Sequence, residues 1–163
     1  MFIPLFLYGR KLLSSPMFYL SSYLESHRDD YIENLRKIGK VEASWDNWIS
    51  FFLSAIIHQA GENIDKVHQI MNLYSNMKEK ILEITNSKYS IPVLDEIFSR
   101  PVFQTTTLMA ATNAPSKPIV IKLLNSLVDA GIIVVLRKGR GPHPTRYLFP
   151  ELINICEGRA LFA

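Results

Sequence analysis

Residues Thr105–Phe149 read TTTLMAATNAPSKPIVIKLLNSLVDAGIIVVLRKGRGPHPTRYLF, and this stretch decides the fold that we predict. It begins with a small apolar segment, Thr105–Thr112, after which Asn113-Ala114-Pro115 supplies turn residues. Ser116 is a preferred N-cap residue, and apolar side chains then recur every three or four positions as far as Gly131. The pattern predicts two short helices joined by a turn.

A hairpin is predicted directly after the second helix. Ile132–Leu136 is β-branched and apolar, and Arg146–Phe149 returns to residues that favour strands. Between them, Arg137–Pro144 is basic and holds two glycines and two prolines. With Ile91–Ser99 as a preceding helix and Val102–Gln104 as a small strand, this order is that of a winged helix-turn-helix.

The positive charge of the chain is concentrated in the same stretch. Ser116–Phe149 carries six basic residues and one acidic residue, a net charge of +5, whereas the whole chain carries +3. In a helix-turn-helix the second helix enters the major groove of DNA, and nearby cations hold phosphates. We therefore predict duplex DNA as a partner. The candidate DNA-binding residues are Lys117, Lys122, Asn125, Arg137, Lys138, Arg140 and Arg146.

The outward face of the second helix leaves a second interpretation open. Its predicted outward positions are Lys117, Ile121, Lys122, Asn125 and Asp129. Lys122 and Asn125 can contact base edges or phosphates. With Ile121 and Asp129 beside them, however, this surface is less suited to contacting base edges than the recognition helices of most DNA-binding proteins. The alternative is a winged helix that docks onto another protein or forms a homodimer, with its lysines facing solvent.

The remainder of the chain is predicted to be helical. The chain has 163 residues and 48% hydrophobic content, enough for one large or two small packed domains. The first predicted helix, Phe2–Leu13, is apolar on most sides, and we expect it to be buried. An amphipathic helix follows from Met17 to Gly39, and a long one of about 40 residues begins after Ser44.

We place a domain boundary near Asn86, with residues 1–86 as a helical region and residues 87–163 as the winged helix. Gly61 is the weakest point of the long helix. The single cysteine, Cys156, favours a reducing compartment, so we predict a cytoplasmic protein. The apolar start, Met1–Tyr8, is too short to span a membrane. Because the sequence begins inside this apolar segment without a polar lead-in, we expect it to be part of a larger protein.

The helical region resembles the segment that follows the active-site motif in Fic family proteins. The resemblance lies in LFLYGRKLLSSPMFYLSSYLESHRDDYIENLRKI, residues 5–38, and in SWDNWISFFLSAI, residues 44–56. The positions that match the family pattern are Leu5, Leu13, Pro16, Tyr19, Leu20, Ser21, Tyr23, Glu25, Arg28, Asp29, Tyr31, Leu35, Trp45, Trp48, Phe51, Phe52 and Leu53. Many members with this layout continue into a C-terminal winged helix, which Ser116-Lys117-Pro118, Gly131-Ile132 and Arg146 also resemble.

The resemblance implies a protein adenylyltransferase, which transfers AMP from ATP with a loop of the form HPFxDGNGR. That loop supplies the histidine base, the phosphate-binding backbone and the Mg²⁺ ligand. The present sequence contains neither H-P-F nor G-N-G-R. The resemblance therefore implies a catalytically silent C-terminal portion of a Fic protein, or a decayed relative. The alternative is a part of an adenylyltransferase whose loop is missing here.

No other catalytic, cofactor or metal site is predicted. His58 has Glu62 at i+4 and His68 has Asp65 at i−3, but the two histidines lie about 15 Å apart along a helix and cannot share an ion. His27 lies near a predicted apolar stripe, and His143 lies between prolines in the hairpin. We expect the former to pack or to face solvent, and the latter to approach phosphate or solvent.

Overall fold

The computed structural model describes residues 2–13, 20–39, 45–112, 116–141 and 143–162. These residues are mainly helical, with one small antiparallel sheet, which confirms the mainly α prediction. The helices are α1 (Phe2–Gly9), α2 (Ser21–Ser26), α3 (Arg28–Ile38), α4 (Trp45–Thr85), α5 (Ser90–Ser99), α6 (Thr105–Thr112), α7 (Lys117–Asp129) and α8 (Pro150–Glu157). The strands are β1 (Val102–Gln104), β2 (Val134–Arg137) and β3 (Arg146–Leu148).

The chain divides into two compact units, Met1–Asp65 and Lys66–Ala163. This division lies within α4, whereas the sequence placed a boundary near Asn86. The difference arises because Leu73, Met77 and Ile81, from the second half of α4, are buried in the core of the C-terminal unit. Helix α4 is unbroken at Gly61, the position that the sequence marked as its weakest point.

The core of the C-terminal unit is formed by apolar residues from all of its helices and from strands β1 and β3, together with Ile132 and Ile133 just before β2. Helix α7 contributes four of them at helical spacing, and α5 contributes Val93, Leu94 and Ile97. The fully buried side chains include Ile81, Val93, Ile97, Leu108, Val120, Leu124, Leu127, Ile133, Leu148 and Phe149. Helix α6 contacts α5, α7 and β1, so the two predicted short helices pack next to one another.

The end of α7 fixes the point at which the sheet begins. The Gly131 N–H donates to the Val128 carbonyl, and the Ile132 N–H reaches back to the Leu127 carbonyl, both at 2.9 Å. These bonds form a Schellman motif, which requires a left-handed residue, and Gly131 has φ +69°. At the other end, Ser116 occupies the N-cap position as predicted, but its side chain makes no capping hydrogen bond.

The sheet has the strand order β1-β3-β2, and both pairings are antiparallel. Hairpin residues therefore lie in the centre and at one edge, and Val102–Gln104 forms the other edge as the sequence predicted. The Phe103 and Tyr147 rings, which are directly opposite in register, stack with centroids 5.6 Å apart. This stacked, buried pair anchors the hairpin to the core of the unit.

In the N-terminal unit, aromatic contacts join α2 and α3 to α4. Tyr31 of α3 lies 5.5 Å from Trp48 between ring centroids, and Tyr23 of α2 lies 6.3 Å from Phe51. Ala55 and Gln59 of α4 and Leu20, just before α2, are buried. Among the described residues of this unit, the buried set is much smaller than in the C-terminal unit.

The predicted helix from Met17 to Gly39 is wrong in one respect, because the structure divides it at His27 into α2 and α3. Three groups compete for the Tyr23 carbonyl: the His27 N–H, the Ser26 hydroxyl and the His27 ring, all within 3.0 Å. Such local bonds offer the backbone an alternative to helical pairing, and His27 leaves the helical region at φ −115°, ψ 37°. Residues 14–19 lie outside the described residues.

Helix α1 begins at Phe2 as predicted but ends at Gly9, four residues before the predicted end at Leu13, and the expectation that it is buried is wrong. Leu5, Phe6 and Tyr8 each keep about half of their surface exposed, and Leu12 just beyond the helix is more exposed still. Apolar composition favours burial only where a partner surface of comparable size packs against the helix. No helix in the described part of the chain is long and apolar enough to cross a membrane.

Candidate functional site

All seven candidate residues are exposed, and they lie on two neighbouring parts of the chain. Lys117, Lys122 and Asn125 belong to α7. The other four belong to the hairpin: Arg137 ends β2, Lys138 and Arg140 lie in the connection, and Arg146 begins β3. We call these two groups the α7 face and the hairpin cations.

The α7 face is held outward by the burial of the opposite side of the helix. Val120, Leu123, Leu124 and Leu127 are buried at spacings of three and four. The remaining outward positions, Ile121 and Asp129 among them, are exposed, as the sequence predicted. The five predicted outward positions of α7 thus carry two cations, one amide, one apolar side chain and one carboxylate.

The register of the hairpin brings two of the cations directly opposite one another. Arg137 of β2 pairs with Arg146 of β3, and Gln104 of β1 pairs with Arg146 on its other side. Residues directly opposite on antiparallel strands have Cβ atoms about 4.5–5.5 Å apart. The register shifts between Val135 and Arg137, so that Leu136 is an extra residue in β2.

The tip of the hairpin is closed by paired backbone bonds. The Arg140 N–H donates to the His143 carbonyl at 3.1 Å, and the His143 N–H donates to the Arg140 carbonyl at 3.2 Å. Gly141, inside this closure, has φ +60°, a conformation that favours glycine. The tip therefore holds the Arg140 backbone in a fixed place. Pro142 lies outside the described residues.

A second close approach supports the base of the tip. The Gly139 N–H donates to Oγ1 of Thr145 at 3.0 Å. A Cβ atom on residue 139 would come within 3.0 Å of the His143 carbonyl and of the Thr145 backbone nitrogen. Only glycine fits here without movement of the neighbouring strand, so the spacing between Lys138 and Arg140 is set by the backbone.

The hairpin cations have no carboxylate partner among the residues that the structure describes. The ion pairs found there join Lys37 to Glu33, His58 to Glu62 and Arg100 to Glu96. Like charges directly opposite on neighbouring strands repel one another. Arg137 and Arg146 therefore form a concentrated positive surface whose charge is not balanced by an ion pair within the described chain.

The histidines do not assemble a second site in the described residues. His27 stacks on Tyr23 with centroids 4.1 Å apart, and His58 lies 4.0 Å from Glu62 between Nδ1 and Oε1. No group of three histidine, cysteine, aspartate or glutamate side chains that could hold a metal ion occurs in the described ranges. Cys156 is exposed on α8.

Sequence reasoning missed two residues that shape the candidate site, Gln104 and Thr145. Gln104 was placed in the small strand, but its position beside Arg146 depends on strand register, which composition does not reveal. Thr145 was overlooked because its hydroxyl accepts a hydrogen bond from a backbone N–H six residues away.

No known protein-family model matches the sequence.

Proposed function

We propose that the C-terminal unit is a winged helix-turn-helix that binds duplex DNA. The order α5, β1, α6, α7, β2, β3 supports this assignment, because the winged arrangement has a helix pair followed by a hairpin. The packing of α6 against both α5 and α7 supports it too. In this proposal α7 is the recognition helix and the β2–β3 hairpin is the wing.

The observation that carries the proposal is the pair of opposed arginines. Arg137 and Arg146 face one another across strands, both exposed. Their mutual repulsion raises the free energy of the unbound hairpin, and a phosphate between or beside them would relieve it. Arginine matches phosphate geometry with two parallel N–H donors. DNA supplies closely spaced phosphates, which suits a hairpin that also carries Lys138 and Arg140 in the connection between its strands.

Roles within the proposed interface follow from chemistry. The hairpin cations contact phosphates and contribute affinity for any sequence, whereas Lys122 and Asn125 of α7 reach base edges or flanking phosphates. Lys117 lies in the first turn of α7, where the positive end of the helix dipole also favours an anion.

Gel shifts over a salt series test this proposal. Arg140→Ala and Arg146→Ala should each weaken binding for all duplex sequences and lower the slope of log K against log salt by about one, since each phosphate contact releases roughly one counterion. Arg159→Ala, an exposed cation of the same unit outside the hairpin, is the matched control and should leave the slope unchanged. Equal slopes for wild type, Arg140→Ala and Arg146→Ala would contradict the proposal.

We further propose that the N-terminal unit is a C-terminal part of a Fic-type domain and is catalytically silent by itself. Four residues of the resemblance, Tyr23, Tyr31, Trp48 and Phe51, contact one another through their rings, which supports a common helical arrangement. With labelled ATP, Mg²⁺ and cell extract, we expect no protein to be labelled beyond background. Labelling that depends on the chain would favour the adenylyltransferase alternative.

The second candidate function is protein docking or homodimerisation, and α4 gives a specific observation in its favour. Within the N-terminal unit, Ile49, Leu53 and Ile57 follow one another at steps of four, and each has about half or more of its surface exposed. An exposed apolar row of this kind is typical of interaction surfaces. Self-association in analytical ultracentrifugation that is insensitive to salt, without any DNA shift, would favour this candidate.

A further inference from the structure

Two isoleucines of α7 differ in position although they are equally exposed. Ile119 and Ile121 are each 37% exposed. With 3.6 residues per turn, they point about 160° apart around the helix. Ile121 lies one turn before Asn125, and residues four apart are neighbours on a helix surface. Ile119 lies on the other flank, away from Asn125.

The charges of α7 indicate which half of the helix would lie in a DNA groove. Lys117 and Lys122 occupy its first two turns, where the helix dipole is also positive, whereas Asp129 is its last residue. Phosphates attract the first half and repel the carboxylate of the second. Ile121 lies in the favoured half, between the two lysines in sequence.

An isoleucine and an asparagine one turn apart match the chemistry of an A·T-containing major groove. Asparagine can bond both N6 and N7 of adenine, and an apolar side chain can pack on the C5 methyl group of thymine. One helical turn advances about 5.4 Å, which is between one and two base-pair steps. Both contacts can therefore be made on adjacent or next-adjacent base pairs.

We infer, on the basis of the proposed DNA-binding function, that α7 selects A·T base pairs, with Ile121 packed on a thymine methyl group and Asn125 bonded to a nearby adenine. Ile121 is an apolar residue among polar and charged neighbours on this side of α7, and in this proposal it contributes to sequence specificity. Lys122, beside it, contributes affinity without reading the methyl group.

Three 24-base-pair duplexes test this inference by fluorescence anisotropy: alternating A·T, the same duplex with deoxyuridine in place of thymidine, and alternating G·C. Wild type should prefer A·T, and the loss of the methyl groups should weaken binding about threefold to fourfold, the effect of one buried methyl group. Ile121→Ala should bind the thymidine and deoxyuridine duplexes equally. Ile119→Ala is the matched control and should keep the difference.

Asn125→Ala should lower the preference for A·T over G·C by about fivefold or more, the usual discrimination of a bidentate contact. A wild-type protein that binds all duplexes with a steep salt dependence but does not distinguish thymidine from deoxyuridine would overturn the inference and leave DNA binding intact. The same holds if Ile121→Ala keeps the difference. A wild-type protein that binds no duplex at low salt would overturn the proposed function as well.

Discussion

Among the described residues, the two units of the chain differ in how many of their apolar side chains are buried. In the C-terminal unit they meet in one core, in which side chains such as Leu124 and Ile133 are fully buried. In the described part of the N-terminal unit, large apolar side chains such as Leu53 and Ile57 remain 52% and 73% exposed. The two units have similar hydrophobic content, so content alone does not determine which side chains are buried. Burial depends on which surfaces pack against those side chains.

The comparison predicts that the C-terminal unit folds by itself only when it begins before Leu73. A fragment Lys66–Ala163 should unfold cooperatively, whereas Ser87–Ala163 lacks Leu73, Met77 and Ile81 and should not. Removal of three buried side chains, at about 2–5 kcal/mol each, is comparable to the total stability of a domain. Urea titrations followed by far-UV circular dichroism measure this. Equal cooperativity of the two fragments would support the boundary near Asn86.

A pair of leucine truncations should separate the units next. Leu124→Ala removes a fully buried side chain and should lower the free energy of unfolding by about 2–5 kcal/mol. Leu53→Ala, with half of its surface already exposed, should change it by less than about 1 kcal/mol. Both tryptophans, Trp45 and Trp48, belong to the N-terminal unit, so fluorescence excited selectively at tryptophan reports that unit alone. A large loss of unfolding free energy in Leu53→Ala would show that the Leu53 side chain is covered, and not exposed, in solution.

Glycine-to-alanine substitutions should change the free energy of unfolding in opposite directions in the two units. Gly131 has φ +69°, so Gly131→Ala should destabilise the C-terminal unit by about 1–2 kcal/mol. Gly61 lies inside α4 with open space around its Cα, so Gly61→Ala should stabilise the N-terminal unit by about 0.5–1 kcal/mol. Thermal unfolding, with fluorescence for Gly61→Ala, provides the measurement. Two changes of the same sign would contradict this reading of α4.

The smallest expected effect concerns pH and the C-terminal unit. The Tyr74 hydroxyl donates to Oδ1 of Asp95 at 2.6 Å, and this bond, with burial and the carboxylate charge, raises the pKa of Tyr74. Folding thus favours the protonated phenol. Its contribution is present below the ordinary tyrosine pKa and is lost as pH rises through the raised value.

Tyr74→Phe should therefore lose about 0.5 kcal/mol at neutral pH and show a weaker decline of stability in the alkaline range above the ordinary tyrosine pKa. Tyr89→Phe, a tyrosine substitution in the same unit, serves as the control. Parallel pH profiles for wild type and Tyr74→Phe, measured by urea titration, would exclude a role for the hydrogen bond.

The elements of the C-terminal unit could be predicted from sequence because their signals are local. Periodic apolar residues defined α7, and Gly131 and the Pro-rich tip defined its end and the hairpin, to within about two residues. The exposure of the seven candidate residues was also predictable, since the core face of α7 is unambiguous. What those residues bind stays a prediction.

Other features depend on contacts that sequence does not display. The apolar stripe of α4 continues without interruption past residue 65, so nothing in it shows that Leu73 and Met77 belong to the core of the C-terminal unit. The break at His27 arises from side chains that compete for one carbonyl. The opposition of Arg137 and Arg146 depends on a register shift, which a prediction of strands alone does not include.

That register shift determines which residue of β2 lies opposite Arg146. With regular pairing continued from Val134–Leu148 and Val135–Tyr147, Leu136 would stand opposite Arg146. The additional residue moves Arg137 into that place and leaves Leu136 outside the ladder. Deletion of Leu136 would restore regular alternation and still set arginine against arginine, whereas insertion of one residue there would not. The register at this bulge, which the composition of the strand does not display, determines where the two positive charges meet.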